Sequence, residues 1–429
     1  MNDIKFMLDS LWVIIAAILV IGMQMGFALL ETGSIRAKNA GHVAGKQILS
    51  FAIASLAFWA FGFAITFGNG NGFFGVHGWF LGSEKVFDSV SWMNIPLSIK
   101  FLFQLSFAAV SLAIAWGGFA ERAKLVVYFI FGILFTVLIY PVVGHWVWGG
   151  GWLAKMGMQD FAGSTVVHLQ GAIAALIATI LLGPRIGKFN KDGSPNTIGG
   201  HNMVYTVMGG FILWLGWFGF NAGSTGGTAD GFFGYVALTT NLAAAAGAIA
   251  ALLTAMAMSR KADIGAMVNG VLAALVAITA SCAFVAPWAA VVIGAVAGSV
   301  TYWTSVYFEK KGIDDPIYAF SVHGIAGVIG TLSTGFFATK ELAVVGKPGL
   351  FYGGGLHQLG VQALGVVTAA VYVAIISFIV LAILKATVGL RVKAEDEIAG
   401  LDIAEHGAYG YPETFESEKK PNQNQNKAL

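Results

Sequence analysis

The sequence predicts an all-α polytopic membrane protein of eleven transmembrane helices, built as a five-plus-five inverted repeat with an eleventh helix appended. Three observations carry this expectation. Apolar residues make up 57% of the chain and charged residues only 11%, whereas a soluble domain carries about 25% charged residues. The apolar residues fall in runs long enough to cross a hydrocarbon core, which takes about 20 residues of helix. Two of these runs also match. "DFAGSTVVHLQGAIA" and "DPIYAFSVHGIAGVI" each set an aspartate eight residues before the histidine of a Val-His pair, Asp160 before His168 and Asp315 before His323.

In order, the spans read as about 11–32, 43–67, 98–118, 125–146, 163–183, 202–222, 233–258, 264–282, 285–307, 318–338 and 357–385. Basic residues orient them. Arg36, Lys38 and Lys46 follow the first span, Arg122 and Lys124 the third, and Arg185, Lys188 and Lys191 the fifth. Arg260 and Lys261 follow the seventh, Lys310 and Lys311 the ninth; the remaining loops carry only Lys85, Lys155, Lys340 and Lys347. The positive-inside rule places the amino terminus outside and the tail in the cytoplasm of a cell-membrane protein.

A repeat of five helices has its second copy upside down. The repeats run over about 8–185 and 199–340, the last helix over about 357–387, and a polar tail over 389–429 completes a membrane domain of 1–388. The end of that tail, "ESEKKPNQNQNKAL", has the composition of disorder. Eight residues of helix rise about 12 Å, so His168 and His323 approach from opposite faces to nearly the same depth in a core about 30 Å thick. Two imidazoles can meet there.

Composition also excludes classes of function. A net charge of +2 gives no case for nucleic-acid binding. The single cysteine, Cys282, excludes an intrachain disulfide and argues against a thiolate metal site. No intramembrane acid joins the histidines to complete a coordination shell, so neither a metal nor another cofactor is expected. "MNDIKFMLDS" lacks a basic region, and no cleaved signal is expected. An enzyme using the histidines as acid and base would lack a nucleophile.

A lone histidine in an apolar span reads equally well as packing glue. Two repeat-related histidines at mid-depth favour a pathway. Asp160 and Asp315 sit at helix starts, where aspartate caps the free N–H groups, and Asp160 also faces the outer vestibule. Phe103 and Phe107 share a face of the third span; Trp148 follows the fourth; Trp217, Phe220 and Ser224 lie in or just beyond "WFGFNAGS". A cation pathway needs ring faces and an oxygen acceptor such as Ser224, with cation–π attraction up to about 2 kcal/mol. Any single tryptophan reads as an interfacial anchor.

At these residues the chain resembles the ammonium transporter family (Amt, within the Amt/Rh superfamily). The motifs are "MQMGFALLETGSIRAKN", "VWGGGWLA", "DFAGSTVVH", "GWFGFNAGS", "DDPIYAFSVHG" and "TVGLRVKAEDEIAGLDIAEHG". The resemblance implies that His168 and His323 are twin pore histidines, with Trp217 and Phe103 also lining the pore. It implies an outer ammonium-recruitment site of Phe107, Trp148 and Ser224 with Asp160, above a gate of Phe107 and Phe220. Trp148 is typical of the Amt branch, which the Rh branch generally lacks. A homotrimer in the lipid bilayer is implied, with methylammonium as substrate analogue and a PII-type nitrogen-signalling protein docking at the tail. The expected function is recruitment of NH4+, its deprotonation and conduction of ammonia. An ammonium-sensing receptor is the alternative, although the tail carries no recognisable kinase or cyclase domain.

Overall fold

The computed structural model describes residues 2–343 and 345–416. The end of the tail, for which disorder is expected, lies outside these residues. Eleven apolar helices cross the bundle among the described residues. The first five are α1 Asn2–Ser34, α2 Ala37–Phe67, α3 Leu97–Gly117, α4 over 125–147 and α5 Ser164–Leu182. The next five are α6 Met203–Ala222, α7 Phe232–Ser259, α8 Ile264–Thr279, α9 Pro287–Lys310 and α10 Phe320–Phe337, and α11 His357–Thr387 completes the set. Ten are long enough to span by length and composition; α8, at 16 residues, is the short one.

Helix α8 stops at Thr279, three residues before the expected end at 282. Hydropathy cannot see this stop, because the following residues stay apolar. The loop before α5 takes up its free carbonyls. Phe161 and Ala162 donate their N–H groups to Ala280 and Thr279 at 3.1 Å each, and Ser164 Oγ accepts the Ala280 N–H at 2.7 Å. Residues 280–285, which follow the stop, are buried in protein, so the irregular backbone meets no lipid. The first helix is longer than expected, running back to Asn2 through polar turns that a hydropathy window discounts.

Small residues set the crossings. A Cβ on Gly209 of α6 would lie 2.4 Å from Leu30 N and 2.6 Å from Gly26 O of α1, so the first helices of the two repeats touch backbone to backbone. Close packing of this kind drives helix association where lipid removes the hydrophobic incentive. The last helices of the repeats match in another way. Both α5 and α10 open with a π-helical turn, Ser164–Leu169 and Phe320–Ile325, and each turn carries the histidine. Such turns often mark functional sites.

One end of the bundle gathers the loops after α1, α3 and α5 with the tail. Glu121, fully buried, accepts from Arg36 Nε at 2.8 Å and Asn39 Nδ2 at 2.9 Å and pairs with Arg185. Burial would push its carboxyl up, but Arg185 and Arg36 hold it down to about 2. The described part of the tail forms three short helices, α12 Ala394–Ala399, α13 Leu401–His406 and α14 Pro412–Glu416. Asp402 of α13 caps α2 from outside: its carboxylate accepts the N–H groups of Gly41 at 3.0 Å and His42 at 2.7 Å. Leu401 N donates to Asn39 Oδ1 at 2.8 Å, and His406 Nε2 lies 3.0 Å from His42 Nδ1. Residues 389–411 thus seat on the bundle through specific contacts.

Candidate functional site

The π turns bring the two histidines together in the core. His168 is 0% exposed and His323 4% exposed; their Nδ1 atoms lie 3.3 Å apart. The rings are nearly parallel, 12° between planes with centroids 5.3 Å apart. Only one N–H fits between two such nitrogens, so a neutral pair shares one proton, the donor set by tautomer. His168 Nε2 has no partner among the described residues.

The rings continue away from the tail end. His168 stacks on Trp217 (5.2 Å, 16°) and on Phe220 (5.4 Å, 30°). Phe220 lies 4.2 Å from Phe107, which packs edge-on against Trp148 at 6.0 Å and 88°. Phe103 meets Phe107 at 4.8 Å, as their spacing along one helical face requires. Each indole is tethered by its N–H: Trp217 Nε1 donates to Thr279 Oγ1 at 2.9 Å and Trp148 Nε1 to the Asp160 carbonyl at 2.8 Å. A cavity of about 650 Å³ opens at the end away from the tail, lined by Phe103, Phe107, Trp148, Asp160 and Ser224 among others. Phe220, His168 and His323 are not on its wall; they continue the column beneath it.

Asp160 lines the cavity but turns its carboxylate to the loop. One oxygen accepts the Gly163 N–H at 3.0 Å, the other those of Thr165 and Val166 at 2.9 Å each. Burial pushes this carboxyl up to about 6 even against those donors. Gly163 adopts φ +113, and a Cβ there would lie 3.0 Å from the Trp148 ring, so the turn that positions His168 needs glycine. Ser224 donates its hydroxyl to the Phe220 carbonyl at 2.8 Å, leaving its lone pairs free. Asp315 caps α10 through the Phe320 N–H at 2.8 Å.

Two contributors escaped the sequence reading. Gln104 lines the cavity with its Oε1 unpartnered among the described residues, although it follows Phe103 directly in the third span. Phe27 of α1 lies 6.3 Å from His323, on a helix with no chemical signal pointing to the histidines.

A profile described as "Ammonium Transporter Family" matches residues 11–411. The chain belongs to the ammonium transporter family. It is 43% identical to the Archaeoglobus fulgidus protein "Ammonium transporter Amt2", over 94% of this chain and 88% of that one. It is 38% identical to the Bacillus subtilis "Ammonium transporter", over 95% and 99%. Among solved structures, one titled "Sensor Amt Protein" superposes with a TM-score of 0.89 at 38% identity, covering 95% of this chain and 100% of the other. Candida albicans Mep2 gives 0.86 at 28% identity, covering 98% and 93%. The chain is therefore a multi-pass membrane protein of a transporter family, with the all-helical architecture expected from its sequence.

Proposed function

We propose that the chain recruits NH4+ in the aromatic cavity, where it gives up a proton to water, and conducts ammonia past His168 and His323. The unbroken column of rings from Trp148 through Phe107 and Phe220 to the paired imidazoles supports this reading above all. Burying a bare ammonium ion in such a column costs several kcal/mol even after relaxation, whereas neutral ammonia crosses cheaply. The cavity suits the ion: ring faces of Phe107 and Trp148, the free lone pairs of Ser224, and no Lys, Arg or His among the residues that line it. Phe107 and Phe220 then act as the gate. Asp160 serves the cation indirectly, fixing the loop that presents its own carbonyl to Trp148. The histidine pair gives the dry stretch a hydrogen-bonding line without permanent charge.

The orientation is amino terminus outside and tail in the cytoplasm of the cell membrane, since the basic loops after α1, α3 and α5 share the tail's end of the bundle. The working form is a homotrimer, and the tail docks a PII-type protein. Ammonium sensing is the second reading, favoured by the similarity to a protein titled "Sensor Amt Protein". Currents and internal pH changes from purified protein in liposomes, under ammonium and then potassium gradients, test the transport reading. Ammonium-dependent flux with potassium excluded is expected; a protein that moves neither ion nor ammonia is a sensor or binder only.

A further inference from the structure

The two aspartates that precede the histidines occupy equivalent places in the inverted repeats, yet their surroundings differ. Asp160 has both oxygens filled by backbone N–H groups. Asp315 has one filled, by Phe320; its Oδ1 is shielded from solvent and has no partner among the described residues. A buried carboxylate oxygen left in that state is costly, and such groups are usually completed by something not part of the chain.

A cavity of about 30 Å³ lies beside it, between the end of α9, the start of α10 and the turn at 185–188. Its charged lining is Arg185, Lys188, Glu309, Asp314 and Asp315, two cations against three carboxylates. Four of these neutralise one another. Arg185 grips Asp314 through two bonds, Nη2 to Oδ1 at 2.7 Å and Nε to Oδ2 at 2.9 Å, and Lys188 pairs with Glu309. Asp315 is left without an ion-pair partner in the lining, and the buried Arg122 acts on it from outside the cavity. Ser305 also lines the space, its hydroxyl donated to the Tyr302 carbonyl at 2.8 Å so that its lone pairs stay free. Tyr318, on the cavity wall, takes a left-handed φ of +58 that tyrosine rarely adopts.

We propose that this cavity is a cytoplasmic binding site for a monovalent cation of ammonium's size, with Asp315 Oδ1 as its charged acceptor. The inference rests on the transport reading above and gives the exit end a cation site that the outer cavity alone does not supply. Size sets the ligand class. One water-sized particle needs about 10–15 Å³ measured this way, so the space holds about two or three such particles and excludes a hydrated divalent ion.

Asp315→Asn tests it, because the amide oxygen can still cap Phe320 while the charge is gone. In proteoliposomes of known orientation, half-saturating ammonium is measured for transport from each side. Loss of one charge-assisted contact should raise the cytoplasmic-side value about tenfold and leave the outer-side value within about twofold. Equal shifts on both sides, or none, overturn the site. Rubidium, a cation of similar size, supplies a measurement independent of the variant. Crystals of the wild-type protein soaked in rubidium should show anomalous density in this cavity within contact of Asp315. Density confined to the outer cavity, or none, overturns the proposal even if the variant fails to fold. If the wild-type protein carries no ammonium flux in either direction, the transport reading fails, and the diffraction result alone decides the cation site.

Discussion

The Nδ1 atoms of His168 and His323 face each other at 3.3 Å, across rings only 12° from parallel. Charging both rings would set two cations in contact inside an apolar core, which the low dielectric opposes. The pair therefore accommodates at most one extra proton, and its chemistry is that of one shared N–H. Its other neighbours, Trp217, Phe220 and Phe27, supply ring surface and no counter-charge.

Changing the type of side chain in this pair should matter more than changing its size. His168→Asp or His323→Glu places an ionisable acid at mid-depth, where a passing cation can neutralise it. Such variants should conduct potassium as well as ammonium. The double alanine variant should widen the lumen and lose the hydrogen-bonded line, with protein recovery near wild type. Potassium- and ammonium-driven currents decide this. Wild-type transport and full potassium exclusion in the double alanine variant would make the histidines packing residues.

Trp148→Leu removes one ring from the outer cavity but leaves the column beneath intact. The lost cation–π attraction, about 1–2 kcal/mol, corresponds to roughly 5–30-fold weaker competition by ammonium. Methylammonium uptake with ammonium as competitor measures it. Unchanged competition would take Trp148 out of the site. The freed Asp160 carbonyl can turn to water in the open cavity, so stability should change little.

Asp402 caps α2 from the tail, so its loss should loosen both partners. Asp402→Ala leaves the Gly41 and His42 N–H groups without their acceptor and should lower stability by about 1–2 kcal/mol. Thermal unfolding reads the first effect and protease cleavage within residues 389–411 the second. A tail as protected in the variant as in wild type would mean that Asn39 and the other contacts hold it unaided. Pull-down of a PII-type protein by full-length and tail-truncated transporter tests docking; equal capture by both forms counts against a role for the tail.

Acid should attack the tail end first. Burial opposes ionisation of Glu121, yet Arg185 and Arg36 hold it at about 2, below its ordinary value of 4.5. A carboxyl lowered on folding stabilises above its unfolded value and loses that contribution as pH falls towards its folded value. Asp314, held low by Arg185 against burial, behaves alike. Thermal stability should therefore fall from about pH 4.5 downward. Glu121→Gln should flatten part of that slope, and an identical slope in the variant would show that Glu121 takes no part.

Much of this protein is written along the chain. Hydropathy located all eleven spans, and the two matched motifs located the histidines and their common depth, because both properties repeat locally and survive without knowledge of neighbours. The exceptions have one cause. The early stop of α8 at Thr279 depends on Phe161 and Ala162, more than a hundred residues earlier in the chain, which take up its carbonyls. The inward turn of the Asp160 carboxylate depends on loop N–H groups presented by a glycine at positive φ. Only the crossing of α3, α5, α6 and α10 decides that Phe107, Phe220, His168 and His323 stack in one column, since ring faces align through helix angles that no single segment encodes. Likewise Asp402 reads as an ordinary charge in a polar tail until folding brings it to the N-terminus of α2, where free N–H groups give it a partner.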